Sequence, residues 1–339
     1  MGLRWFHFAL WAGLIAGMFL LPQVVSNGTL RTMIFANYLA IFAISWDVLS
    51  GRTGYISFGH PFLIGIGAYT TAILTKRFDV PVEISIPIAV IFTIIAGLIV
   101  LLPALRIRGS YFALVTLAFM ELLLQLVQVI RPDLTGGTRG ISGIQTLTRG
   151  AANGYYLSTA LMLCIAVSMW LLMKTRLGTA LAAIGMNEES VRGSGLSTTR
   201  LKAFAFLTSA MVAGLGGAFY VHYLGSLAPR ALFDINFLFT IIVAALLGGT
   251  STIIGPMIGA FLLITYLGTW NNFIAPQIII QSQDKLPLSV FVAQLRGPYG
   301  TEYGLIMAGT LVAVAPVLAL FLLLQRDFIA GLTAGAVKG

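Results

Sequence analysis

The stretch EISIPIAVIFTIIAGLIVLLPAL, residues 83–105, decides the fold class. It is charged only at Glu83 and has the roughly 20 residues that an α-helix needs to cross a bilayer. The whole chain has the same character, because 58% of its 339 residues are hydrophobic and 9% are charged. Soluble domains carry about 25% charged residues. The sequence therefore predicts an all-α, polytopic membrane protein and excludes a soluble or disordered chain.

Similar apolar runs predict about ten transmembrane helices. The runs 55–75 and 252–268 are rich in glycine, so broken or re-entrant helices are expected there. The first run resembles a signal peptide, but it is long for one and no cleavage site follows, so we expect it to remain as an anchor helix. The ten runs lie at residues 5–25, 33–50, 55–75, 83–105, 110–130, 155–173, 203–224, 233–250, 252–268 and 305–325.

Basic residues predict which loops face the cytoplasm. The formal net charge is +9, and clusters at 106–108, 174–202 and after residue 325 fall on one side if ten spans alternate. That side, with both termini, is expected to be cytoplasmic. Lys76, Arg77 and the basic residues of loop 131–154 fall on the other side and weaken the bias. No basic run with interleaved aromatic residues is present, so nucleic-acid binding is not expected.

Neither catalysis nor metal binding is expected. The single cysteine, Cys164, allows no intrachain disulfide and no thiolate metal site. The histidines His7, His60 and His222 lack the spacing of a metal-binding helix. No GxxxxGK[ST] loop is present, so the chain is not expected to hydrolyse ATP or to hold a cofactor. The sequence predicts a protein that is not an enzyme.

The loop at about residues 174–202 is the first candidate for a partner site. Ala180 to Val191 can form a short helix, and Asn187 either caps it or starts a second helix at Glu188 and Glu189. Glycines then supply the left-handed backbone that ends the helix. Such a helix either docks into a groove of a soluble protein or is an ordinary amphipathic loop helix. The candidate docking residues are Asn187, Glu188, Glu189, Arg192 and Gly195.

Two glycine-rich blocks, residues 51–67 and 248–259, are candidates for a translocation pathway. Paired interruptions of membrane helices in two halves of a transporter point to its transport site. Close packing through small residues is an alternative that does not exclude the first. His60 is expected to pack and form hydrogen bonds rather than relay protons. The pathway candidates are Gly54, Gly59, His60, Gly65, Gly67, Glu121, Gly248, Gly249, Gly255 and Pro256.

Two acidic residues fall within the predicted spans. A charge at the centre of a bilayer is costly, so such groups face a partner or a water path. Asp47 is expected at the interface near the cytoplasmic end of its helix. Glu121 is more central, where it either lines a pathway or makes an interhelical hydrogen bond.

Several blocks together resemble the permeases of branched-chain amino acid ABC transporters over about residues 33–265. The resemblance implies an ABC importer permease in the inner membrane of a bacterium or archaeon. It also implies a second permease subunit, two cytoplasmic ATPase subunits docked at the 174–202 loop, and an extracytoplasmic binding protein. Arg52, Tyr55 and Pro61 depart from the family pattern, which leaves the substrate open. The blocks are SWDVLSGRTGYISFGHPFLIGIGAYT (45–70), LRIRGSYFALVTLAF (105–119), LTGGTRGI (134–141), AAIGMNEESVRGSGLSTTRLKAFAFLTSAMVAGLGGAFYVHYLGSLAP (182–229) and LLGGTSTIIGPMIGA (246–260).

The C-terminal stretch resembles another family. KLPLSVFVAQLRGPYGTEYG (285–304), FLLLQR (321–326) and GLTAGAVKG (331–339) are similar to the end of maltose-type carbohydrate ABC permeases. We therefore expect a hybrid, with residues 1–269 of the amino acid type and residues 270–339, including the last span, of the carbohydrate type. Natural fusion, recombination and artificial construction all remain open. The expected cargo is a branched-chain or other hydrophobic amino acid, with a carbohydrate importer and an ion-coupled secondary transporter as alternatives.

Overall fold

A computed structural model describes residues 17–104 and 110–270, and parts of 296–319. These residues are mostly helical. The helices, labelled in chain order, are α1 (Asn27–Trp46), α2 (His60–Arg77), α3 (Val82–Ala104), α4 (Ser110–Val129), α5 (Pro132–Thr135), α6 (Ala151–Met173), α7 (Arg176–Met186), α8 (Glu188–Gly193), α9 (Thr198–Leu224), α10 (Pro229–Leu232), α11 (Ile235–Gly248) and α12 (Ile254–Trp270). Short 3-10 turns lie at Leu21–Gln23 and Gly137–Arg139.

Four short strands accompany the helices in the described residues. Strand β1 (Ile141–Ser142) pairs antiparallel with β2 (Ser226–Leu227), and Ile141 lies opposite Leu227. Strand β3 (Arg296–Gly297) pairs antiparallel with β4 (Gly300–Thr301). The β1–β2 pair joins the loop before α6 to the loop after α9.

Six segments of the described residues are long and apolar enough to cross a membrane. This confirms an all-α polytopic membrane protein but not the expected count of ten. Helix α2 has 18 residues but is not among the six, and the segment Ile254–Gly268 is shorter than a span. The expected spans 5–25 and 305–325 fall largely outside the described residues. The six segments are Asn27–Gly51, Val82–Val100, Tyr111–Val129, Ala151–Met173, Thr198–Leu224 and Pro229–Gly248.

The span expected at 55–75 begins later than the sequence predicts. Helix α1 ends in a π-helical turn, Asp47–Gly51, and residues 55–57 are neither helix nor strand. Gly54 has a left-handed φ of 74°, which no other residue type adopts as readily. The chain thus leaves its helical path between α1 and α2, and α2 starts only at His60 with Pro61 in its first turn.

The described residues fall into two compact units, one ending at Phe261 and the other beginning at Leu262. The contacts described below all belong to the first unit. Helix α9 forms the core of this unit and packs along α1, α2 and α3. A side chain at Gly67 would collide with the backbone of Gly214, and one at Gly217 with the carbonyl oxygen of Ile64. Glycine at these positions therefore brings α2 and α9 into backbone contact.

Burial differs strongly among the long helices. From Ala36 to Ser50, the chain of α1 and its π-helical turn is buried throughout. By contrast, α3 and α4 expose large apolar side chains, including Ile91, Phe92 and Leu122. Exposed apolar faces of this size fit a hydrocarbon environment rather than water.

The loops of the first unit lie at its two ends, and each end is named after elements that lie there. The α7–α8 end contains the π-helical turn, α7, α8, the start of α9 and the turn between α11 and α12. The β1–β2 end contains the C-termini of α2, α4 and α9 and the start of α3, with β1, β2 and α10.

Candidate functional site

The loop at 174–202 contains two helices joined at one residue. Helix α7 ends at Met186, and Asn187 has extended backbone and caps α8. The Asn187 side chain accepts hydrogen bonds from the backbone N–H groups of Glu189 (3.0 Å) and Ser190 (3.1 Å). The structure therefore has the second of the two arrangements that the sequence allows. Gly195, with φ of 85°, then turns the chain toward Ser197, which caps α9.

The two neighbouring glutamates of α8 have different surroundings. The Glu188 carboxylate accepts hydrogen bonds from the Tyr55 hydroxyl (2.6 Å) and from Lys202 Nζ (2.9 Å). The Arg192 guanidinium lies 3.3 Å from the same carboxylate. Burial by itself raises the pKa of Glu188, but the bonds from Tyr55 and Lys202 outweigh it and lower the pKa to about 2. Glu189 is exposed, so only Glu188 faces the body of the protein.

Tyr55 and Lys202 complete a small cluster with Glu188, which we call the Glu188 cluster. The side chains of Glu188 and Lys202 are 20% and 11% exposed, so this ion pair is largely shielded from water. Lys202 Nζ lies 3.0 Å from the Tyr55 hydroxyl and 4.5 Å from the centre of its ring. The ring meets Phe112 of α4 edge-on, with centroids 5.6 Å apart. The cluster thus ties α8 to the segment before α2, to α4 and to α9.

Backbone contact reinforces this attachment. A Cβ on Gly185 of α7 would collide with the carbonyl oxygen of Arg52, and one on Gly54 would lie 3.8 Å from the Cα of Gly185. Helix α7 therefore packs directly on the backbone that follows the π-helical turn. Gly54 itself is exposed.

Asp47 joins the two glycine-rich blocks. Its side chain is fully buried in the protein, and its expected place at the membrane interface stays a prediction. Its Oδ1 accepts a hydrogen bond from the backbone N–H of Ser251 (2.7 Å), and the Ser251 hydroxyl donates to the carbonyl oxygen of Gly51 (2.6 Å). A Cβ on Gly51 would collide with the Asp47 carboxylate. The π-helical turn thus holds the turn between α11 and α12.

The other glycines of the two blocks lie where chains approach closely. A Cβ on Gly59 would be 3.0 Å from Thr116 of α4, and one on Gly65 would collide with the ring of Phe233. Gly67 faces Gly214, as described above. In the second block, a Cβ on Gly248 would collide with Gly255, whereas Gly249 has a positive φ and open space around it. Gly255 and Pro256 are buried. These positions serve packing and turns, and their lining of a pathway stays a prediction.

His60 forms the buried hydrogen bond that the sequence predicts. Its Nε2 lies 3.0 Å from the hydroxyl of Ser209 in α9. Ser209 and Ser45 each donate a hydroxyl to the other's carbonyl oxygen, at 2.7 and 2.9 Å. His60 and these serines therefore link α1, α2 and α9 in the core.

At the β1–β2 end, His222 is the centre of a second buried network. Its Nε2 lies 2.8 Å from the Thr71 hydroxyl, which is 2.7 Å from the hydroxyl of Ser85. Its Nδ1 lies 2.6 Å from the carbonyl oxygen of Gln145. All three side chains are fully buried. The network holds the loop of β1 against α2, α3 and α9.

Glu121 lies on the exposed face of α4. Its Oε1 accepts a hydrogen bond from Gln125 Nε2 (2.8 Å), one turn further along the same helix. The described contacts therefore give it an intrahelical bond rather than the interhelical one considered from the sequence. Glu121 lines a cleft of about 600 Å³ between α4 and the α10–α11 segment, which we call the α4–α10 cleft.

Sequence reasoning missed the partners in these contacts. Tyr55 attracts notice only as a departure from the family pattern, and Lys202 only as one of the basic residues of the 174–202 cluster. Tyr55 and Glu188 are 133 residues apart, and Asp47 and Ser251 are 204 apart. Local spacing carries no signal for such pairs.

A model of a protein family described as the permease component of branched-chain amino acid transport systems matches residues 28–295. The chain belongs to this permease family. The match begins before residue 33 and ends beyond residue 265, so it is longer than the resemblance seen in the sequence blocks.

Individual relatives of this permease point the same way. The high-affinity branched-chain amino acid transport system permease protein LivM of Escherichia coli is 28% identical over 281 residues, covering 74% of this chain and 66% of LivM. The chain thus spans just under two thirds of that relative. The autoinducer 2 import system permease protein LsrC of Yersinia pestis is 29% identical over 262 residues, covering 64% of this chain and 71% of LsrC. No solved structure matches the permease.

A carbohydrate transport protein matches a smaller part of the permease. The arabinooligosaccharides transport system permease protein AraQ of Halalkalibacterium halodurans is 40% identical over 87 residues, which cover 26% of this chain and 31% of AraQ. Resemblance to both kinds of permease is therefore confirmed, with the amino acid kind covering far more of the chain.

Proposed function

We propose that this permease is the membrane-spanning subunit of an ATP-driven importer. Its cargo is a branched-chain or other hydrophobic amino acid that an extracytoplasmic binding protein delivers. Two cytoplasmic ATPase subunits and a second permease subunit complete the complex. Family membership over residues 28–295 supports the general function. The observation that carries the mechanism is the attachment of the α7–α8 loop to the body through the Glu188 cluster.

The two faces of α8 suit a docking element. Asn187, Glu189 and Gly195 are exposed and available to a soluble partner. Glu188 points the other way, into its cluster with Tyr55 and Lys202. A partner that moves α8 therefore also moves the segment before α2 and the start of α9. Such transfer between distant sites is a rigid-body mechanism, in which packed elements move together.

The π-helical turn extends this route to the second glycine-rich block. Gly185 packs on Arg52, a few residues beyond Asp47, and Asp47 holds the backbone of Ser251. Motion of α7 thus reaches the turn between α11 and α12 through backbone contacts and a buried hydrogen bond. We assign the α7–α8 end to the cytoplasm, in agreement with its basic residues.

Co-purification with ATPase subunits tests the docking step. We expect Glu189→Lys to reduce the amount of ATPase that co-purifies, because the change reverses an exposed charge on the docking face. The matched control is Glu83→Lys, which reverses an exposed charge at the β1–β2 end. If the ATPase binds neither the original chain nor the variant, or binds both equally, docking through α8 is wrong.

Ligand-stimulated ATP hydrolysis tests the cargo. The assembled complex is reconstituted in proteoliposomes and supplied with single amino acids or maltose-type sugars. Stimulation by branched-chain amino acids supports the proposal. Stimulation by sugars alone would establish the carbohydrate alternative, which the AraQ match favours. Transport that continues without the ATPase subunits and stops when an ion gradient is removed would establish a secondary transporter.

A further inference from the structure

The α4–α10 cleft combines both signs of charge with apolar walls. Its volume of about 600 Å³ is within the range of roughly 300–1,000 Å³ found for small-molecule pockets. Helix α4 contributes Leu117, Met120, Glu121 and Gln125, and the α10–α11 segment contributes Arg230 and Phe233. A wall that only faced lipid would not need this set of charged and amide groups.

Arg230 and one oxygen of Glu121 are available to a ligand in the cleft. Arg230 is exposed, and its guanidinium forms no ion pair with a carboxylate in residues 17–104 and 110–270. Glu121 uses Oε1 for Gln125, while its Oε2 accepts no hydrogen bond from these same residues. Asp234 also lines the cleft, but it is occupied as the cap of α11, where it accepts from the backbone N–H of Asn236 (3.1 Å). The available pair is therefore one cation and one carboxylate.

The apolar wall is built on one of the predicted pathway glycines. Phe233 is 3% exposed and stacks on Tyr69, with ring centroids 6.1 Å apart and an interplanar angle of 10°. A side chain at Gly65 would collide with the Phe233 ring. The absence of a side chain at position 65 thus leaves the space in which the Phe233 ring packs. Of the pathway candidates, Glu121 lines this cleft and Gly65 packs behind the Phe233 ring of its wall.

The helix that carries Arg230, α10, packs against the loop that precedes β1. Strand β2 ends at Leu227, three residues before Arg230, and pairs with Ile141 and Ser142. A Cβ on Gly140 would collide with the carbonyl oxygen of Leu227 and would lie 2.9 Å from Cδ of Pro229. Helix α10 is therefore held against the loop that precedes β1.

We propose that the α4–α10 cleft binds the transported amino acid as a zwitterion. The Arg230 guanidinium binds the carboxylate, Glu121 binds the ammonium group, and Leu117, Met120 and Phe233 contact the apolar side chain. The inference rests on the proposed function, since it identifies where in the permease that cargo is recognised. Charge-assisted hydrogen bonds at both ends of a small apolar molecule select an amino acid over a sugar, which carries neither charge.

Uptake by the complete reconstituted complex is the first test. We expect Arg230→Gln and Glu121→Gln each to lower leucine uptake about tenfold or more, because each removes a charge-assisted bond. Arg230→Lys should retain more uptake than Arg230→Gln, since it keeps the positive charge. The matched controls are Arg77→Gln and Glu83→Gln, which neutralise exposed residues at the same end of the unit.

Protection of a cysteine from labelling is the second test, and it does not depend on the binding protein's own selectivity. Cys164, which is exposed, is replaced by serine, and Gln128, another residue of the cleft wall, is replaced by cysteine. We expect leucine to slow the reaction of this cysteine with a polar maleimide. Leucinamide lacks the carboxylate and 4-methylpentanoate lacks the ammonium group, so each should protect much less.

The outcomes separate this inference from the proposed function. If the original complex takes up leucine and the Arg230→Gln and Glu121→Gln complexes do so equally well, the cleft is not the site, while the proposed function stands. Loss of complex assembly in both variants, or protection by all three compounds alike, would assign the cleft to subunit contact or to general apolar binding and overturn the inference. Failure of the original complex to transport any amino acid would overturn the proposed function and the inference with it.

Discussion

The two ends of the first unit are held by different chemistry. At the α7–α8 end, the loop is attached through Glu188 and Lys202, an ion pair with 20% and 11% of the side chains exposed. At the β1–β2 end, the loop is attached through His222 and Thr71, which are fully buried, and through backbone pairing of β1 with β2. One attachment uses charges near water, and the other uses neutral hydrogen bonds away from it.

The difference indicates which end moves. The Glu188–Lys202 pair retains some contact with water, which solvates the two charges in part when they separate. Buried neutral donors and acceptors lose more when they separate, because no solvent replaces their partners. We therefore expect the β1–β2 end to act as a fixed frame for the α4–α10 cleft, and the α7–α8 end to transmit motion.

The strongest test of the fixed frame is Gly140→Ala. Gly140 has φ of 76° and ψ of −164°, a region that only glycine adopts without strain, and a Cβ there would also collide with Leu227. We expect a loss of about 4 kcal/mol in the free energy of unfolding, from strain and overpacking together. Thermal unfolding of the purified protein in detergent measures it.

The matched control is Gly150→Ala. Gly150 lies in the same region of backbone conformation, with φ of 85° and ψ of 158°, but no atom lies within 4 Å of a Cβ there. This variant should lose only about 2 kcal/mol, the cost of strain alone. Equal losses in the two variants would show that contact between Gly140 and Leu227 does not hold this end.

Glu188→Gln tests the attachment at the other end. The change leaves Lys202, which is 11% exposed, without its carboxylate, so we expect the free energy of unfolding to fall by about 2 kcal/mol. Glu189→Gln is the control for stability, because Glu189 is exposed and should change the unfolding free energy by less than about 0.5 kcal/mol. If both variants unfold like the original protein, the Glu188 cluster does not attach the loop.

The smallest predicted effect is the pH dependence of the same attachment. The pKa of Glu188 is lowered from 4.5 to about 2 in the folded protein. Its contribution to stability is therefore complete above about pH 4.5 and is lost as the pH falls through about 2. The difference in unfolding temperature between the original protein and Glu188→Gln should be constant from pH 7 to 5 and shrink below that. A constant difference down to pH 2 would contradict the assigned ion pair.

The sequence predicts the membrane class and the location of the loop because both depend on local composition. Apolar runs of helical length and the cap at Asn187 can be predicted from neighbouring residues alone. The start of α2 could not be placed, because the π-helical turn and the extended segment after it depend on contacts with Ser251 and Gly185. The partners of two acidic residues could not be predicted for a related reason. Asp47 accepts a hydrogen bond from a turn 204 residues away, and the described bond of Glu121 is within its own helix.

The candidate site could be predicted only as separate pieces. Both glycine-rich blocks and Glu121 stand out in the sequence, but the α4–α10 cleft also needs Arg230 and Phe233, which lie more than a hundred residues beyond Glu121. No spacing rule connects them. The packing of α2 on Phe233 at Gly65 is what brings them together, and that contact is a property of the folded chain.

The boundary after Phe261 has a consequence for how such chains could be recombined. The contacts of Asp47, the Glu188 cluster and the residues of the α4–α10 cleft all precede Leu262. A genetic exchange downstream of that boundary would carry every one of these contacts over intact into the new chain. The C-terminal sequence would then change in one step, while the α7–α8 loop and the α4–α10 cleft are inherited together unchanged.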